Sequence, residues 1–228
     1  ISAQWFGRST SLEARAYVSD FEGRADAWLA APRSTAAPPA SLEQRFQKVD
    51  LTVTRPIGAR HLIQAGAEFA HDLYEGTNRI RDEDAGHQAN TVVGWGQHRW
   101  SATNRLTTTV GARVDRRSDF ETAISPKVAL NYRVSDGLRA RASYGRGFRA
   151  PDLGQLYYRF LSPSNFYQVI GNPNLDPEYA DSWQLGGDYT FARSRVRIRV
   201  HTFRNDVRDL IQSVNLRFVA TPPQLRAL

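Results

Sequence analysis

The sequence contains no cysteine and no methionine. Without cysteine there is no disulfide scaffold, no thiolate metal site and no cysteine nucleophile, and thiols say nothing about the redox compartment. Lysine is scarce: Lys48 and Lys127 stand against a background of arginine within 30 basic residues. A stretch of about 18 apolar residues, the minimum for a membrane-spanning helix, is also lacking. That excludes a helical span. It leaves a strand-built membrane wall open, because residues that alternate between two faces never raise a hydropathy window. The chain opens Ile1-Ser2-Ala3 with neither an initiator methionine nor a charged-then-apolar leader, and is read as an internal piece of a longer chain.

What is present is a basic chain of 228 residues, net charge +7, with 41% apolar and 11% aromatic residues. Such a charge raises the question of nucleic acid, which would want Lys and Arg gathered on one groove-sized element or a flexible arm. Here they lie elsewhere. Arg113, Arg133, Arg139, Arg141, Arg195, Arg197 and Arg199 occupy alternate positions of period-2 runs. No nucleic-acid partner is therefore expected.

In those runs, Leu106, Thr108, Val110, Ala112 and Val114 alternate with Thr107, Thr109, Gly111, Arg113 and Asp115. Val128, Leu130, Tyr132 and Val134, then Leu138, Ala140, Ala142 and Tyr144, then Trp183, Leu185, Gly187, Tyr189 and Phe191, then Val196, Ile198 and Val200 repeat the pattern against polar partners. Successive side chains on a strand point to opposite faces, so these are strands with one apolar and one charged face. About nine are expected, over 12–28, 44–54, 60–71, 90–100, 105–116, 125–134, 138–148, 180–191 and 195–206. Several reach the length a tilted strand needs to cross a bilayer. Asp20 to Arg24 offers a possible turn inside the first, but one long strand preserves the order of connections.

Those connections alternate. Turn-forming clusters at 6–10, 56–59, 101–104, 135–137 and 192–194 are short hairpins. Polar, Pro- or Gly-containing stretches at 29–43, 72–89, 117–124, 149–179 and from 207 onward are long. Short turns at one rim and long loops at the other are the expected plan of an outer-membrane barrel, whereas a compact soluble domain rarely holds several such loops. Tyr144, Tyr132, Phe69, Trp183, Phe191 and Trp95 are expected near strand ends as an interfacial aromatic girdle. The fold class is therefore all-β, an antiparallel transmembrane β-barrel fragment. A soluble β-sandwich is the competing architecture, and would seal Leu130, Leu138 and Ile198 against a second sheet.

Chemistry-bearing constellations are thin. His61, His71, His87, His98 and His201 show no metal-ligand spacing. His61 and His71 bracket one strand on the same face, which suits two polar rims. Asp82, Glu83 and Asp84 near His87 read as a solvated loop tip, with a weak cation site as the alternative. No phosphate loop, nucleophile elbow or carboxylate pair stands out. An enzyme, a catalytic residue, a metal or a cofactor is not expected.

The most informative stretch is Ser143-Tyr144-Gly145-Arg146-Gly147-Phe148-Arg149-Ala150-Pro151-Asp152-Leu153, followed after about twenty residues by Gly171-Asn172-Pro173-Asn174-Leu175-Asp176-Pro177-Glu178. Pro151 has no N–H and ends ladder pairing, and Pro173 and Pro177 hold the residues before them extended. The two halves frame one long loop. Here the chain resembles the TonB-dependent receptors of bacterial outer membranes, in Tyr144, Gly145, Gly147, Phe148, Arg149, Ala150 and Pro151, then in Gly171, Asn172, Pro173, Leu175, Pro177 and Glu178. Phe203 to Ile211 looks like the strand exit that follows.

The resemblance implies a barrel of about 22 strands plugged by an N-terminal domain, taking up a scarce ligand of the siderophore or cobalamin class. It implies energy from the TonB complex through an N-terminal box, membrane lipid around the wall, and localisation in the outer membrane of a Gram-negative-type bacterium. Residues 1–228 would then be a partial barrel domain, without the plug and final strands. A structural or adhesive envelope β-protein without transport is the alternative. In haem receptors of the family a His commonly lies between the two motifs, and residues 152–170 hold none. The loop offers instead Tyr157, Tyr158, Arg159, Phe160, Phe166 and Tyr167. Tyr157, Tyr158, Arg159, Phe166 and Tyr167 are the candidate ligand contacts, by stacking and charge on a planar or anionic ligand. The competing reading is that Tyr157 and Tyr158 merely pack the loop.

Overall fold

The computed structural model describes residues 1–25, 40–77, 79–80, 86–162, 167–191 and 196–215. The 192–194 turn, Arg195, Phe166 and the Asp82, Glu83, Asp84 cluster lie outside the described residues. Along the chain run β1 (Ser2–Phe6), β2 (Ser11–Ala25), β3 (Ala40–Ile57), β4 (His61–Thr77), β5 (His87–Ser101), β6 (Leu106–Arg117), β7 (Ala123–Arg133) and β8 (Leu138–Arg149). A helix α1 (Leu153–Tyr157) and a small hairpin, β9 (Arg159–Ser162) with β10 (Tyr167–Ile170), follow. β11 (Glu178–Thr190) and β12 (Arg197–Arg208) complete the order. All but β9 and β10 form one 10-stranded antiparallel sheet, each strand beside the next in sequence, with β8 paired to β11 across the motif-bearing loop. β1 and β12 are its two edges among the described residues.

Register assigns the faces, since residues directly opposite one another share a side of the sheet. Val49 faces Phe69, Phe69 faces Val92, Val110 faces Val128, Val128 faces Tyr144, Tyr144 faces Trp183 and Tyr189 faces Ile198. One apolar band thus runs across the strands. Its members stay open, with Val110 56% exposed, Leu185 60% and Ile198 50%, and Leu130, Leu138 and Ile198 meet no second sheet among the described residues. That removes the sandwich. An uncovered apolar face of this extent is unstable in water and suited to hydrocarbon.

The band ends at each rim in rings. Tyr144 and Trp183 pack at 4.3 Å on the long-loop side, while Trp100 stacks on His61 at 6.1 Å and Tyr189 meets Phe191 edge-on at 4.7 Å on the short-turn side. Trp95 departs from the expected girdle. It lies in mid-strand on the inner face, where the absence of a side chain at Gly66 makes room for its indole. Aromatic content near an apolar run does not reveal which face the ring takes, and Trp100 holds the rim place on this strand.

Three further differences have physical causes. β1 was not expected; five exposed residues carry no alternation, and pairing with Ser11–Arg15 makes them a strand. β3 and β4 run beyond the expected ends to Ala40 and Thr77, while β2 is continuous through Asp20 to Arg24, as expected. Beyond the apolar band both faces are polar, for example in the 2.6 Å pair of Arg45 with Asp20, so period 2 fades while backbone pairing continues. The connection between β6 and β7 also closes over 118–122 alone, shorter than expected.

Candidate functional site

The site begins where β8 ends. Within the motif, Tyr144 and Phe148 lie on the outer face and Gly145, Gly147 and Arg149 on the inner one. On the outer face above the aromatic ring, the Tyr144 hydroxyl donates to Asp181 at 2.6 Å, and Arg146 and Arg208 donate to the same carboxylate at 3.0 and 2.8 Å. Phe148 packs against Tyr179 at 5.5 Å. The motif therefore first stitches β8, β11 and β12 together.

Ala150 and Pro151 leave the ladder. Pro151 is buried and its carbonyl accepts from the Arg117 guanidinium at the end of β6. Asp152 then caps α1: its carboxylate accepts from the Gln155 N–H at 2.7 Å, while the Gln155 amide oxygen accepts from the Asp152 N–H at 3.0 Å. This reciprocal cap makes a five-residue helix possible. Leu153 and Leu156 point into a cluster with Tyr74, Ile80 and Ala89, edged by Leu42, Phe120 and Leu175. Although α1 emerges from β8, it touches β4 and β5, so the loop lies across the inner face. Burial there, with Tyr158 and Asp152 nearby, pushes the Tyr74 hydroxyl up to about 12.

The second motif locks this fold-back. Gly171 donates to the Tyr158 carbonyl at 2.7 Å and Asn172 to the Gln155 carbonyl at 2.9 Å. A Cβ at Gly171 would stand 2.8 Å from the Gln155 carbonyl oxygen and the Leu156 backbone, so glycine is required by close approach. The Asn172 side chain accepts from the Asn174 N–H at 3.0 Å. Glu178, first residue of β11, accepts from the Ile211 N–H at 2.7 Å and from Arg149 at 3.0 Å. These two donors, the Ile211 N–H foremost, hold its carboxyl below the ordinary glutamate value. The two motifs, about twenty residues apart in sequence, form one brace.

Of the candidate ligand contacts, Tyr157 stacks flat on His87 at 3.5 Å, Tyr158 bridges to Ile80 and edges the cluster, and Arg159 is exposed. Tyr167 pairs through its backbone with Ser162. Arg79 sits over Phe160 at 4.2 Å. Arg117 and Tyr74 were not singled out in the sequence, and His87 was weighed only as a neighbour of the Asp82, Glu83, Asp84 cluster, not as a partner of Tyr157. Each lies on a different strand, and no local spacing announces that they meet the loop. His61 and His71 do share the outer face, one at each polar rim.

Below the brace the inner face is charged. Lys48 and Arg113 hold Glu68 at 2.8 and 2.7 Å, Arg113 also holds Asp115 at 2.9 Å, and Arg141 and Arg199 hold Asp188 at 2.5 and 3.3 Å. Among the described residues no cluster of three or more His, Asp or Glu side chains is placed to hold a metal ion.

An apolar exterior, a charged interior and a long loop folded inward match a known pattern. Residues 2–224 match the model of the TonB dependent receptor-like β-barrel family. This chain belongs to that family. It is 26% identical over 164 residues, 72% of this chain and 25% of the relative, to the iron-regulated outer membrane virulence protein of Vibrio cholerae serotype O1. The chain thus spans about a quarter of that relative's length. In fold it is similar to the siderophore receptor PirA of Acinetobacter baumannii (TM-score 0.74, 14% identity, covering 92% of this chain and 34% of that one). It is similar also to the ferric enterobactin receptor PfeA of Pseudomonas aeruginosa (TM-score 0.72, 17% identity, 90% and 33%). The TonB-receptor wall described here is an outer-membrane structure.

Proposed function

We propose that residues 1–228 form part of the barrel wall of a TonB-energised outer-membrane receptor that imports a ferric siderophore, the plug and the remaining strands being supplied by the rest of the protein. The observation that carries this reading is the brace, in which Arg149, Glu178, Gly171 and α1 fold a long loop inward across the lumen face. A loop held there positions ligand at the mouth of the wall; a purely structural envelope protein has no use for it. The names of the similar proteins, siderophore receptors and an iron-regulated outer membrane protein, support iron complexes over cobalamin. Arg159, with the loop aromatics around it, is the proposed ligand contact. Binding and translocation need no bond-making step, so no catalytic residue is assigned.

The test is growth of an iron-starved bacterium that lacks its own siderophore receptors and expresses the full-length protein. Growth on at least one ferric siderophore, lost when TonB is deleted, is the expected result. Growth that ignores TonB, or no growth on any catecholate, hydroxamate or carboxylate complex, overturns the reading.

A further inference from the structure

The short-turn rim carries arginines that the protein itself does not neutralise. The connections at 7–10, 58–60, 102–105 and 134–137 hold Arg8, Arg60 and Arg105, all exposed, against a single acidic residue, Asp136. Arg55 joins them from the outer face. It follows Thr54, the partner of Ser11, so it stands beside the turn that bears Arg8, with Ile63 opposite it and Ile57 two residues on. The Ser101 N–H donates to the Arg60 carbonyl at 2.8 Å and ties the next two turns together. Among the described residues none of these four guanidinium groups enters an ion pair. The opposite end of the same face is built differently: Arg24, Arg45, Arg146, Arg204 and Arg208 each hold a carboxylate at 2.6–3.0 Å, while Arg116 is unpaired among the described residues. The short-turn rim is also the level of an aromatic ring on the outer face, formed by Trp5, Trp100, Tyr132 and Tyr189. Tryptophan and tyrosine collect at the height of lipid headgroups. An arginine there lays its stem on the apolar wall, keeps its charge at the interface and needs an anion beside it. Solvation at a turn tip accounts for Arg8, Arg60 and Arg105 taken singly, but not for Arg55 on the apolar face. All four stand on turns or on the outer face, so a plug filling the lumen leaves them free.

We infer that this rim is a binding surface for anionic phospholipid, the phosphates of net-negative headgroups in the adjoining leaflet serving as counter-ions to Arg8, Arg55, Arg60 and Arg105. Guanidinium groups pair with phosphate through two parallel hydrogen bonds, and each basic residue near an anionic surface adds to the attraction. This goes beyond the transport reading: it needs only that the outer face stand in lipid, and it assigns the rim no part in uptake.

The test uses the full-length receptor in phosphatidylcholine vesicles, carrying a dye at Ala59→Cys beside Arg60 or, as a reference, at Gln47→Cys toward the other end of β3. The probes are phosphatidylglycerol and phosphatidylethanolamine, each bearing a quenching nitroxide high on one acyl chain and added at equal mole fraction. Phosphatidylglycerol is expected to quench Ala59→Cys more strongly than phosphatidylethanolamine, and the two lipids to quench Gln47→Cys alike. Arg55→Gln with Arg60→Gln should lower the relative affinity for phosphatidylglycerol at Ala59→Cys about fivefold or more, as the loss of surface basic residues implies, and leave quenching by phosphatidylethanolamine unchanged. Arg55→Lys with Arg60→Lys, which keeps the charge, retains most of the preference and separates loss of charge from loss of fold. Equal quenching by the two lipids at Ala59→Cys, the same preference at Gln47→Cys, or a preference that survives the double Gln variant overturns the inference and leaves the transport reading standing. Quenching by neither lipid at either dye overturns it together with the placement of the outer face in lipid, and the TonB-dependent growth assay then judges the transport reading separately.

Discussion

Gly171 shows how one residue decides the position of a loop. Its hydrogen atom faces the last turn of α1, where a methyl group would press on backbone atoms 2.8 Å away that have no rotamer to escape into. Gly171→Ala should cost about 1–3 kcal/mol, the usual range for overpacking, and release the brace while the strands stay paired. Limited proteolysis within 150–178 should quicken, and the heat-modifiable mobility of the folded barrel should be unchanged; unchanged proteolysis would show that the close approach is not what holds the loop. At this scale the sequence was informative for backbone-determined positions. Pro151, Asp152 and the Gly171-Asn172-Pro173 run act through local geometry. It was uninformative for Arg117, Tyr74 and His87, whose partners come from distant strands, and for Trp95, whose face depended on register.

A strand in this wall carries two unlike faces. Leu130 lies on the apolar outer face and its neighbour Ala129 on the charged inner one. Placing arginine at Leu130 near mid-bilayer should therefore cost about 2–4 kcal/mol, whereas Ala129→Arg meets water and should cost little by that term. Denaturant titration of the full-length receptor in lipid vesicles compares them, and equal costs would refute the assignment of faces. Period 2 revealed the strands because one face of the sheet is apolar and the other polar. It understated their length on the long-loop side, where Asp20–Arg45 and similar pairs make both faces polar and hydrogen bonding alone extends the ladder. Inside the long loop the sequence suggested only a connection: α1, β9 and β10 are each too short to show periodicity.

The whole molecule follows from the same division. Its fully buried apolar cluster, Tyr74, Ile80, Ala89, Leu153 and Leu156, sits under the loop rather than between layers, and most of its large apolar side chains look outward. Residues 1–228 expressed alone should thus aggregate in water and enter detergent micelles, because two unpaired edges and an apolar wall remain uncovered. Size-exclusion chromatography reads this directly, and a sharp monomer without detergent would contradict the lipid-facing assignment. Alternation, turn chemistry and two linked motifs were enough to determine from sequence an all-β membrane wall and its family, since these signals are local or repeat along the chain. That Arg149 meets Glu178, that α1 crosses to β4 and β5, and that Arg55 faces outward beside the turn bearing Arg8 was decided by tertiary structure. Each depends on how strands far apart in sequence are registered and curved, which no short stretch encodes.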